Sequence, residues 1–175
     1  MYHDHTVNLI LQFPGLFLRK CEVFNGDQNV ASLKLAWGFF QRATCQYGDN
    51  LWEIREKGFF KTKIQIVDLN TNQLIGEIPV NDKKVVLEMI GKFDTSVATI
   101  TINNTTYQLS ETQDKNNYKF CTHEGVEIIT YDLAELTNWA KFGRSQKTGS
   151  VSILDNPSKE HLALFMLGLF LLLQR

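Results

Sequence analysis

Residues 156–175 read NPSKEHLALFMLGLFLLLQR, and residues 162–173 of this segment carry no polar side chain. Asn156 suits a helix N-cap and Pro157 the first helical position, so the sequence predicts a helix over about residues 157–173. Seven leucines, two phenylalanines and one methionine would point in every direction around this helix. A helix that has no polar face lies either inside a protein or in lipid.

The length of the apolar run argues against a membrane span. Twelve residues form about 18 Å of helix, whereas about 20 residues are needed to cross the hydrocarbon core of a bilayer. Charged or polar residues stand at both ends of the run, so it cannot be extended. We therefore expect a core helix and not a transmembrane one; membrane insertion and binding to a partner are the alternatives. Gly168 is the one poor helix former in the run, at a cost of about 1 kcal/mol.

Most of the remaining chain consists of short segments that alternate apolar and polar residues between turn-forming residues. Examples are RATCQYGDNLWEIRE, residues 42–56, and TITINNTTYQLSE, residues 99–111. Roughly a dozen such strands at a spacing of about 8–12 residues are typical of an antiparallel sandwich or barrel. We expect a single domain over residues 1–175 in which a closed antiparallel barrel surrounds the helix. Residues 83–90 are expected to form a strand, while residues 133–149 could open as a short helix.

Composition gives few functional constraints. The formal net charge of the 175 residues is −1, so no global field attracts nucleic acid, and we expect no nucleic-acid partner. The three cysteines, Cys21, Cys45 and Cys121, are far apart and odd in number, which predicts free thiols in a reducing compartment. The N-terminus lacks the features of a signal peptide. We expect a cytoplasmic protein, with peripheral contact to a membrane as an option.

Three features together resemble the tubby-like superfamily, which includes tubby C-terminal domains, plant LURP-one-related proteins and phospholipid scramblases. They are AWGFFQRATCQYGDNLWEIREKGFFKTKIQIVD at residues 36–68, the later hairpins, and the apolar C-terminal segment. The resemblance covers about residues 30–175 and is closest to small bacterial members. It implies about twelve antiparallel strands around a hydrophobic C-terminal helix, and a function in lipid or partner binding. The family's own lipid-binding residues cannot be assigned to positions of this chain.

The most basic segment, REKGFFKTK, supplies the candidate ligand-binding residues Lys57, Lys61 and Lys63, and Arg42 follows the other Gly-Phe-Phe sequence. On a strand, alternate residues share a face, so Lys61 and Lys63 would meet an anionic headgroup together. We expect a non-enzymatic binding or adaptor module that contacts phospholipid headgroups of the phosphoinositide kind, a membrane surface, or a protein partner. A solvated outer barrel face is the simpler interpretation of the same charges.

The other candidate sites are weaker. Lys141, Arg144 and Lys147 form a second basic cluster, expected in a loop, and His3 and His5 lack further metal ligands, so we expect no metal and no cofactor. The sequence contains no recognisable nucleophile or phosphate-binding motif, so we expect no enzyme. Two alternatives stay open. One is a barrel that carries a small apolar ligand, which the helix would obstruct. The other is an enzyme whose site forms only in the fold.

Overall fold

The computed structural model describes residues 6–13, 19–36, 41–57, 63–79, 98–111, 117–132 and 147–173. These residues form a closed antiparallel barrel around one helix, so the predicted architecture is confirmed. Each strand pairs with its neighbours in sequence, and the last strand closes the barrel on the first. The strands are Thr6–Phe13 (β1), Lys20–Asn25 (β2), Gln28–Leu35 (β3), Arg42–Tyr47 (β4), Asn50–Lys57 (β5), Lys63–Asp68 (β6), Gln73–Pro79 (β7), Ala98–Ile102 (β8), Thr105–Glu111 (β9), Asn117–Thr122 (β10), Glu127–Asp132 (β11) and Lys147–Leu154 (β12); the helix is Lys159–Leu173 (α1).

Tight hairpin turns join β2 to β3, β4 to β5, β6 to β7, β8 to β9 and β10 to β11, all at the same end of the barrel, which we call the turn end. The β8–β9 turn shows why the sequence predicts them. Asn103 and Asn104 have φ angles of 46° and 65°, and consecutive left-handed residues match the right-handed twist of the two flanking strands. Asparagine tolerates this conformation better than most residues do.

Helix α1 occupies the barrel interior. Its side chains from Ala163 to Leu167 are 0% exposed, and Leu171 is 1% exposed. Fifteen residues make a helix of about 22 Å, close to the length of strands of six to eight residues at about 3.3 Å per residue. The prediction of a core helix is confirmed. Among the described residues, no helix is both long enough and apolar enough to span a bilayer.

The helix begins two residues later than its predicted start at residue 157. Asn156 has a left-handed φ of 59° and is not the N-cap. Ser158 takes that role instead, because its hydroxyl accepts a hydrogen bond from the His161 N–H at 3.2 Å and its carbonyl accepts one from the Leu162 N–H at 3.0 Å. The prediction of the N-cap was therefore wrong, although the end of the helix is as expected.

Gly168 lets a strand approach the helix closely. The hydroxyl of Tyr131 in β11 donates to the carbonyl oxygen of Phe165 at 2.6 Å, and the two rings stack with centroids 6.0 Å apart. A Cβ atom placed on Gly168 would lie 2.3 Å from the Tyr131 hydroxyl oxygen. The lack of a side chain at Gly168 thus leaves the space that the end of the Tyr131 side chain occupies.

Strands β7 and β8 are joined by fewer paired residues than the other neighbouring strands of the described barrel. In the described part of the chain, Gly76 and Ile102 are the one pair of directly opposed residues that join these strands. The Asn103 N–H also donates to the Ile75 carbonyl at 2.8 Å. A Cβ atom on Gly76 would lie 3.2 Å from Cγ1 of Ile102, so the glycine allows the close approach that closes the seam.

The prediction of free thiols is confirmed, because Cys21, Cys45 and Cys121 are free and buried; the reducing compartment stays a prediction. Burial is the main cause that raises the pKa of each thiol above its ordinary value, which disfavours the reactive thiolate. The strand expected over residues 83–90 and most of the ambiguous stretch 133–149 lie outside the described residues.

Candidate anion-binding face

On the outer surface of the barrel, neighbouring strands place two positively charged side chains directly opposite each other at three positions. Their alternate neighbours, such as Cys21, Leu33 and Ile54, point into the core, so the charged side chains point outward. Like charges in this position are destabilising. We call these six residues the basic face: Lys20 opposite Lys34, Arg42 opposite Arg55, and Lys57 opposite Lys63.

One carboxylate holds the central arginine pair. Glu53 forms an ion pair with Nε of Arg42 at 2.6 Å and accepts a hydrogen bond from a terminal nitrogen of Arg55 at 2.9 Å. The side chain of Glu53 is only 8% exposed, whereas that of Arg42 is 61% exposed. Two guanidinium groups therefore share one covered carboxylate, and the charge presented to solvent at this point is positive.

Other cations of the face also form ion pairs. Lys63 pairs with Glu77 at 2.9 Å, and Lys20 pairs with Glu22 at 2.5 Å. Hydrogen bonds from Gln65 and then from Lys63 lower the pKa of Glu77, which keeps it ionised. With Glu53, these are three carboxylates that pair with four of the six cations of the face. Lys34 makes no ion pair with any described residue.

The opposite side of the barrel differs in charge. The described outward side chains of β8 to β12 and β1 are mainly hydroxyl and amide groups, such as Thr101, Gln108 and Ser152. Lys119 lies among them and is paired with Glu127. Among the described residues, the positive excess therefore lies on one side of the barrel, although the whole chain has a formal net charge of −1.

The structure brings three of the four predicted site residues together. Arg42, Lys57 and Lys63 all belong to the basic face, and Lys57 lies directly opposite Lys63. Lys61 lies outside the described residues, as do Lys141, Arg144, His3 and His5. Lys147 lies in β12 opposite Phe13 and not in a loop, so that part of the second cluster was placed wrongly.

Lys20 and Lys34 were missed as members of the face. Each occupies an outward position of an alternating strand, KCEVFN and QNVASLKL, so the alternation could have identified both as surface cations. Their position beside Arg42 depends on how β2, β3 and β4 pair. Pairing between separate strands is set by the closed barrel, and no single strand encodes it.

A separate pocket of about 460 Å³ opens at the turn end, between the β8–β9 and β10–β11 turns and the first turn of α1. Its walls include Tyr107, His123, Glu124 and His161. The rings of His161 and Tyr107 meet edge to face with centroids 5.9 Å apart, and Nδ1 of His161 is buried without a hydrogen-bond partner. Burial lowers the pKa of His161, partly offset by Glu160.

The pocket does not assemble a recognisable catalytic group. In the described part of the chain, neither imidazole has a hydrogen bond to a hydroxyl or carboxylate that would make a nucleophile and base pair. The described residues also contain no cluster of three His, Cys, Asp or Glu side chains with the geometry of a metal site. The basic face is therefore the stronger candidate site.

Comparisons with known proteins do not extend these observations. No protein-family model, no curated protein and no solved structure matches the chain. The resemblance to the tubby-like superfamily stays a prediction, and the candidate site rests on the geometry described above.

Proposed function

We propose that the protein is a non-enzymatic binding module whose basic face contacts the phosphate-bearing headgroups of anionic lipids. The observation that carries the proposal is the set of three like-charge pairs on adjacent strands of one side of the barrel. The opposite side offers no comparable group among its described residues.

The like-charge pairs have an energetic cost that an anionic ligand would remove. Each pair of directly opposed cations destabilises a sheet by a few tenths of a kcal/mol, up to about 1 kcal/mol. A phosphate group placed between two such cations replaces their repulsion with two charge-assisted hydrogen bonds. Arg42 and Arg55 already share Glu53, so there a phosphate would instead add contacts to the exposed guanidinium of Arg42, which can bind two phosphate oxygens at once.

Two further points support the proposal. The resemblance to the tubby-like superfamily implies lipid binding at an outer surface. In addition, α1 fills the lumen in which a small apolar ligand would have to lie, which disfavours the carrier alternative. Neither point depends on the charges of the basic face.

The test is flotation of the purified protein with phosphatidylcholine vesicles, with and without phosphatidylinositol bisphosphate. We expect binding only to the anionic vesicles, and weaker binding as salt is raised, because the contact is between exposed charges. The double variant Lys34→Gln, Lys63→Gln should bind more weakly.

Lys119→Gln is the matched control, since it also removes an ion-paired lysine from an outer strand, but on the opposite side. If the wild type stays unbound with every vesicle, or if the Lys119 variant loses as much binding as the double variant, the proposal is wrong. A protein partner would then be the alternative to pursue.

A further inference from the structure

Two exposed leucines bracket the β6–β7 turn on the same outer side as the basic face. Leu74 is 54% exposed and Leu69 is 41% exposed. Val67 lies directly opposite Leu74 and is itself buried, with 7% of its surface exposed. The four residues between the leucines, Asn-Thr-Asn-Gln at 70–73, carry no charge. We call Leu69, Leu74 and the turn between them the apolar tip.

The apolar tip is held in place by hydrogen bonds at its base. The Asp68 carboxylate accepts from the N–H groups of Asn70 at 2.9 Å and Thr71 at 3.4 Å. The side-chain amide of Asn70 donates to the Asp49 carbonyl at 2.8 Å. A turn fixed in this way loses little conformational entropy when its leucines are buried against another surface.

The apolar tip also exposes little negative charge to solvent. Asp68 is 3% exposed, and its second carboxylate oxygen is paired with Lys159 at 2.5 Å. Asp49, in the β4–β5 turn, is the acidic side chain that remains exposed nearby. The tip is therefore apolar and close to neutral at its centre, with one acidic residue at its edge.

The tip and the basic face lie on one continuous side of the barrel. Lys63, Gln65, Val67 and Leu69 follow one another at alternate positions of a single strand and its turn, so they share the outer face. At about 3.3 Å per residue, Lys63 is about 20 Å from Leu69, so the basic face lies towards the end of this side that is opposite the turn end. A barrel resting with this side on a bilayer would bring both groups to the interface together.

We infer that Leu69 and Leu74 enter the boundary between headgroups and acyl chains of an anionic membrane while the basic face contacts the headgroups. This inference rests on the proposed function and adds the orientation of the barrel on the membrane. The combination of a small inserted apolar group with cations on the same side of the molecule gives a peripheral protein both hydrophobic and electrostatic attraction to a bilayer. Val126 is similarly exposed, at 46%, but lies at the β10–β11 turn, away from the basic face. Ile10, at 45%, lies in β1 opposite Phe24 of β2 and borders the other edge of the basic face.

The first experiment measures partition onto phosphatidylcholine vesicles that contain phosphatidylinositol bisphosphate. Because about half of each leucine is free to be buried, Leu69→Asn and Leu74→Asn should each weaken partition about fivefold, and the double variant about 25-fold. Val126→Asn is the matched control and should leave partition unchanged. Asp49→Asn should strengthen partition. Urea unfolding of each variant verifies that the exposed substitutions leave the fold intact.

The second experiment places an environment-sensitive fluorophore on Leu74→Cys. The three native thiols are buried, so the introduced cysteine is the one that reacts. We expect a blue shift of the emission on addition of the anionic vesicles, and no shift for the same label on Val126→Cys.

The outcomes separate this inference from the proposed function. If the lysine variants abolish binding but the leucine variants bind like wild type and the label at position 74 stays in water, the inference is overturned and the proposed function stands. If partition depends on the leucines but is the same with and without the anionic lipid, the tip inserts and the proposed headgroup function is wrong. No binding to any vesicle overturns both.

Discussion

Replacing Gly168 by alanine should destabilise the protein, although alanine is the better helix former. A Cβ atom at this position would lie 2.3 Å from Oη, 2.5 Å from Cζ and 2.8 Å from Cε2 of Tyr131. Tyr131 is 1% exposed and stacked on Phe165, so its ring has little room to retreat. Overpacking of this kind costs about 1–3 kcal/mol and the lost hydrogen bond about 1 kcal/mol, against a gain of about 1 kcal/mol in helix propensity. We expect a net loss of about 1–3 kcal/mol.

The sign of the effect should reverse when the end of the tyrosine is removed. Leucine at position 131 lacks all three atoms that the new methyl group would meet. In the Tyr131→Leu background, Gly168→Ala should therefore be neutral or stabilise by up to about 1 kcal/mol, because only the propensity gain is left. Tyr131→Phe is the control: it lacks the hydroxyl but keeps Cζ and Cε2, so Gly168→Ala should still destabilise it.

Urea unfolding followed by far-ultraviolet circular dichroism measures all six combinations of the residues at positions 131 and 168. The reasoning is refuted if Gly168→Ala is as stable as the parent in the presence of Tyr131. It is equally refuted if the substitution has the same effect in the tyrosine and leucine backgrounds, because the cost would then lie elsewhere than in this contact.

Three further predictions concern the seam, the helix start and the barrel mouth. Gly76→Val should lower the free energy of unfolding by about 1–3 kcal/mol, more than Gly76→Ala, because the added methyl groups press on Ile102 across the β7–β8 seam; chemical denaturation of both variants checks this. The pKa of His161 is lowered in the folded protein, so the unfolded chain binds its proton more readily and the free energy of unfolding should fall as the pH drops below about 6.5. His161→Gln should reduce the pH dependence of the urea midpoint between about pH 7.5 and about 5.5, and an unchanged pH dependence in this variant would exclude His161 as its cause. Asp68→Asn should cost about 1–3 kcal/mol at neutral pH, since it unpairs Lys159 at the buried oxygen, whereas an exposed substitution such as Thr101→Ala should cost less than about 0.5 kcal/mol.

The enclosure of the helix was predictable because two independent properties of residues 162–173 agree. The run is too short for a bilayer, and it has no polar face for a surface position, so the interior is the remaining environment. The strands were predictable from alternation and from turn residues such as Asn103 and Asn104. Together these properties were sufficient for a closed barrel, since only a closed sheet surrounds a helix on all sides.

The details that sequence reasoning missed depend on contacts between distant residues. From the sequence, Gly168 is only a residue of low helix propensity, because nothing in the neighbouring sequence indicates that Tyr131 fills the space beside it. Asn156 and Ser158 are both good N-cap residues, and the left-handed turn that decides between them is set by the path from β12 into the lumen. The basic face was only partly predicted for the same reason, since Lys34 joins it through the pairing of strands.

The position of α1 in the chain has a consequence for synthesis. The helix follows all twelve strands, so the ribosome completes the barrel wall before it makes the barrel's core. Closure also waits for β12, whose Leu154 lies opposite Thr6 of β1. Until both have emerged, the apolar inner faces of the earlier strands have nothing to pack against. Stable folding must therefore follow synthesis of the helix, and the nascent chain is exposed to aggregation and to chaperones for that whole interval.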